Sequence, residues 1–143
     1  MDISANVGTN LGAPIRWTIA GKERDFSLVT QLVKAQVEQV LMNTARNHIK
    51  KDKDFMTDDE YGIAYGVFHE RIVAGQYAFG SKIFRDWITT PKGMLILVGI
   101  LCGDQETDWE TMAFDDMLNV TQLVAAVMQA SFPNLMKGKE TSP

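Results

Sequence analysis

The residues best equipped for chemistry in this chain are two histidines, one cysteine and three acidic runs, and none stands in a reactive arrangement. His69-Glu70-Arg71-Ile72-Val73 comes nearest to a metal-binding helix. A zinc-protease helix needs a second histidine four residues after the first, so that both face one ion. Position 73 is valine, and His48 belongs to a different predicted helix. Cys102 ends the most apolar segment, where a thiol keeps its proton and packs as a small hydrophobe. Ser81 follows Gly80 but lacks the spacing of a nucleophile elbow.

The acids have simpler work to do. Asp58-Asp59 and Asp104-Glu106-Asp108 stand where helix caps are expected, and Asp115-Asp116 has no predicted partner across a cleft. The second run lacks the remaining ligands of a calcium loop. The eleven glycines are scattered and form neither a phosphate loop nor a dinucleotide fingerprint. No catalytic, cofactor-binding or metal-ligating residue is therefore assigned, and no cofactor is expected.

The elements that would position any site are mostly helical. Ile15, Trp17 and Ile19 alternate with Arg16 and Thr18, the period of a half-buried strand. Ala20-Gly21-Lys22-Glu23 reads as a turn, and Arg24-Asp25-Phe26 as a short return strand. Such a hairpin is too small to stand alone and must pack on the helices or on another sheet. Ser27 is the expected N-cap of a first long helix, with an apolar stripe through Val29, Leu32, Val33, Val37, Val40 and Leu41 and with Gln31, Lys34, Glu38 and Gln39 facing out. Thr57-Asp58-Asp59-Glu60 is a capping box that opens a second helix, which Gly75 or Gly80 ends before a stretch through Ile83, Phe84 and Trp87.

Thr90-Pro91 and Gly103 bracket a segment that is apolar all round, which predicts a helix in the middle of the fold. Thr107 and Glu110 repeat the capping-box pattern, and Asn119 or Thr121 is the expected cap of a last helix through Leu123, Val127 and Met128. The fold class is mainly α: a compact bundle of about five helices with a small N-terminal hairpin. Residues 1–14 read as a flexible arm, 15–136 as a single helical domain and 137–143 as a disordered tail.

Composition bounds the partners. The 143 residues are 45% hydrophobic and 22% charged, an ordinary globular balance, with a net charge of −4. That charge argues against a general nucleic-acid binder, which needs a basic face. The one dense basic cluster, Lys50, Lys51 and Lys53, is interleaved with Asp52 and Asp54. The single cysteine, the polar start from Met1 to Gly12 and an apolar run no longer than Met94 to Cys102 predict a cytoplasmic protein without a membrane span.

The layout resembles that of the tail assembly chaperones of long-tailed bacteriophages. The resemblance rests on a hairpin with a central Gly-Lys, Trp17-Thr18-Ile19-Ala20-Gly21-Lys22-Glu23-Arg24-Asp25-Phe26, leading into a helical body. That body ends in Asp115-Asp116-Met117-Leu118, then Leu123-Val124-Ala125-Ala126-Val127-Met128 and Phe132-Pro133-Asn134. It implies a non-enzymatic protein of the host cytoplasm that coats the apolar, helical tape measure protein and helps recruit tail tube subunits. Many such chaperones have a second, frameshifted form, and Gly138-Lys139 lies where a slip would occur. The family brings no catalytic residues and no fixed binding motif.

On this reading the expected partner-binding residues are Trp17, Ile19 and Phe26, and a methionine-rich groove is a second way to bind apolar segments. A homo-oligomer is compatible with it. The rival readings are a structural, neck-type or adaptor protein of the virion in a fixed oligomer, and a small regulator that binds a host protein or DNA.

Overall fold

The computed structural model describes residues 13–133. The tail expected over 137–143 lies outside the described residues, as does the arm expected over 1–14 apart from its last two positions. Strands β1 (Ile15–Ile19) and β2 (Lys22–Phe26) pair antiparallel, with Ile15 opposite Phe26 and Ile19 opposite Lys22. Only Ala20 and Gly21 form the turn, at φ 53° and 80°. Two successive positive φ values are what a two-residue hairpin loop needs to match strand twist. Lys22 and Glu23, expected in the turn, are therefore strand residues.

Six α-helices follow among the described residues: α1 (Gln31–Lys51), α2 (Asp58–Val73), α3 (Lys82–Ile88), α4 (Pro91–Leu101), α5 (Trp109–Ala113) and α6 (Met117–Ser131). Single 3-10 turns at Lys53–Phe55 and Phe114–Asp116 join neighbours. The protein is mainly helical with one N-terminal hairpin, as the sequence predicts.

Helix α4 is the centre. Thr90 caps it, Pro91 opens it, and Leu97 and Val98 are fully buried. It packs against α1, α3, α5 and α6. Gly93 allows α3 and α4 to turn tightly, because a Cβ there would lie 2.0 Å from the Trp87 carbonyl oxygen. One cluster of buried apolar side chains runs from Ile19 and Phe26 through every helix to Val127.

Three expected caps move. Ser27 does not start α1: its N–H donates to the Leu101 carbonyl (2.9 Å), the chain stays extended, and Thr30 takes the cap by accepting from the Val33 N–H. The second capping box does not form either. The Thr107 hydroxyl donates to Asp104 (2.5 Å), and Asp108 caps α5 instead. Asn119 and Thr121 lie inside α6, which begins at Met117. Glu38, expected to face out, accepts the Phe79 N–H (2.8 Å) and ties the α2–α3 loop to α1.

Candidate protein-binding groove

The hairpin is fastened to the body at several points. Ile19 is 1% exposed and Phe26 fully buried, both within the chain's own core. Trp17 is half-buried, and its indole Nε1–H donates to Asn119 Oδ1 (2.8 Å). Asn119 Nδ2 donates in turn to the Thr18 carbonyl (2.5 Å), and the Ala20 N–H donates to Asp116 (2.9 Å). That amide contact and the Asn119 amide hold the Asp116 carboxyl below the usual carboxylate range. On the other strand Arg24 donates to Asp104 (2.5 Å) and lies over the Trp109 ring, 5.0 Å from its centre. The three residues expected to contact a partner thus spend most of their apolar surface on the body.

The other chemistry-bearing residues also have structural duties. Asp104 accepts the N–H groups of Glu106 and Thr107, the Thr107 hydroxyl and Arg24. The Thr107 hydroxyl above all, then Arg24, holds its carboxyl far below the usual range. Burial pushes the Cys102 thiol up, away from the thiolate a nucleophile needs. Ser81 caps α3. Asp58 and Asp59 fill the first turn of α2, whose capping box is formed by Thr57 and Glu60. His69 is exposed beside the Tyr65 and Phe68 rings. Among the described residues no three His, Cys, Asp or Glu side chains gather as a metal site.

The feature with room for a partner lies elsewhere. A groove of about 570 Å³ opens between α1, α2 and α3. Leu41, Ala45 and Ile49 line it from α1, Val67 and Phe68 from α2, and Ile83 and Trp87 from α3. Tyr77 packs on Phe68 at its floor, with ring centres 5.6 Å apart. Among the described residues the ionisable chains of its lining besides Tyr77 are His48 and Arg71, and Arg71 makes the charge it presents positive. Arg46 adds a further cation behind Phe68, 5.6 Å above its ring. A smaller cleft of about 210 Å³ borders Trp109 and Lys92 and holds Asp108 and Glu110.

Helix α2 explains why the groove exists. Its aromatic side, Tyr65 and Phe68, turns to the core, while Ile63 (67% exposed) and Val67 (40% exposed) sit on another side. Val73, the last residue of the helix, is 88% exposed, so α2 carries more apolar surface than the core takes up. Among the described residues no methionine lines the groove; aliphatic and aromatic side chains do. The sequence holds one sign of it: Ile63 and Val67, four apart, lie off the stripe of Phe68 and Ile72. A helix with two apolar sides has one to spare.

No known protein family, curated protein or solved structure matches the chain. Among the described residues no helix is long and apolar enough to cross a membrane.

Proposed function

We propose that this protein is a non-enzymatic assembly chaperone of long-tailed phage tails, which holds an apolar helical segment of the tape measure protein in the α1–α2–α3 groove and so assists the tail tube subunits that assemble around it. The observation that carries the reading is the groove itself, about 570 Å³ of open apolar surface with a positive lining. That size is in the range of pockets that take a ligand or a few large side chains. Helix-in-groove recognition uses such a floor, with apolar anchors of the client at helical spacing. Each square ångström of apolar surface removed from water contributes about 25 cal/mol before ordering costs. Arg71 favours a client whose flank is acidic.

Co-expression tests it. The wild-type chain raises the soluble yield of a tape measure protein, and Val67→Glu, which sets a carboxylate in the groove, abolishes most of that gain while leaving the helical signal intact. A tape measure protein that stays insoluble beside the folded wild type, with the chain at fixed copy number in finished particles, would replace this reading with that of a structural virion protein.

A further inference from the structure

A second apolar projection stands at the α5–α6 junction. Phe114 is 70% exposed and Leu118, one helical turn on, is 76% exposed. Glu110 and Asp115 flank them and are exposed. Neither acid takes part in a salt bridge among the described residues, whereas Asp116 beside them is turned back to the hairpin. The corner is therefore two large apolar side chains with a free acidic border. The groove is its counterpart: an apolar floor with Arg71 and His48 at its lining and, among the described residues, no carboxylate. Arg71 forms no salt bridge among the described residues. Phe114 and Leu118 are too exposed to fill the groove of their own copy.

We infer that a second copy of this chain seats its Phe114–Leu118 corner in the α1–α2–α3 groove, with Glu110 and Asp115 facing Arg71. The two surfaces come from different parts of the chain, so the contact is heterologous. Each copy that uses its groove still presents a free corner, and association runs head to tail into a chain or closes into a ring. Opposite charge sets the orientation, and added salt weakens it. A client in the groove competes with the second copy, so client in excess disperses the assembly. The contact does not depend on the client reading, because both surfaces belong to the free chain.

The test uses the purified full chain without client and measures its mass by light scattering over a concentration series. The wild type rises above the 16.0 kDa of a single copy as concentration increases. Phe114→Ser/Leu118→Ser, which loses the corner, and Val67→Glu, which blocks the groove, each stay at single-copy mass with unchanged helical signal and melting midpoint. Mixed in equal amounts they form a 1:1 pair and nothing larger, since one keeps only its groove and the other only its corner. A wild type that remains single throughout overturns the inference. So do variants that associate like the wild type, or a mixture that fails to pair.

Discussion

Replacing Phe26 by alanine decides whether the hairpin belongs to the core or to a partner. Phe26 is fully buried, and Ile19 from the paired strand is buried in the same cluster. A two-stranded hairpin is marginal in water by itself, so its order must come from such contacts. Truncating a core phenylalanine costs about 3–5 kcal/mol, the lost transfer energy plus the cavity left behind. Total stability of a domain is only about 5–15 kcal/mol. In a chain of this length each kcal/mol moves the thermal midpoint by roughly 3–4 °C, so Phe26→Ala should melt about 10–20 °C lower. The exposed Thr18→Ala on the same hairpin should stay within about 0.5 kcal/mol of wild type. The assay is a thermal melt followed by circular dichroism in the helical band, with a urea titration as a second measure. A midpoint shift under about 2 °C for Phe26→Ala would mean that the hairpin is not part of the core, because a side chain in a close-packed core cannot be lost at so small a cost. Ile19 and Phe26 would then be free to serve as partner contacts.

Asn119→Ala removes the bonds to Trp17 and Thr18, and should cost about 1–2 kcal/mol. A cycle with Trp17→Phe should show positive coupling between the two positions, and simple additivity would contradict the contact. Gly93→Ala drives a methyl group into the Trp87 carbonyl and should force α3 away from α4, lowering stability and disordering the groove wall at Ile83 and Trp87; an unchanged melt would contradict that corner. Acid should loosen the loop after α4. The lowered folded pKa of Asp104 means its stabilisation is complete above the unfolded carboxylate range, near about pH 4, and is lost as pH falls through that range toward the lower folded value. Asp104→Asn should flatten the part of the acid transition that Asp104 supplies, which a pH titration of the melt would detect.

Local signals carried the fold well. The Thr57–Glu60 capping box and the Thr90-Pro91 start with its Gly103 stop need only neighbouring atoms, and each formed where its residues stand. Two of the caps that moved were displaced by partners distant in the chain: Ser27 gave its amide to Leu101 and Asn119 turned its amide to the hairpin. Thr107 gave its hydroxyl to Asp104, a competing local partner only three residues back. The candidate site was legible only in fragments. Trp17, Ile19 and Phe26 show the alternation of a half-buried hairpin, and periodicity does not say whether the other side of the contact is the same chain. Helix α2 has two apolar sides in its sequence, but which one meets α1 and α3 is set by packing. Arg71 and His48 gained meaning only when three helices brought them to one opening.

The most direct test of the groove reading is amide hydrogen exchange of the full chain with and without a soluble apolar helical fragment of a tape measure protein. Exchange should slow on addition of the fragment across the groove-lining stretches 41–49, 64–71 and 83–87. The hairpin at 15–26 should be unchanged, since its buried side already faces the core. Protection confined to the hairpin, or binding of the fragment with no protection around the groove, would mean that the groove does not hold the client.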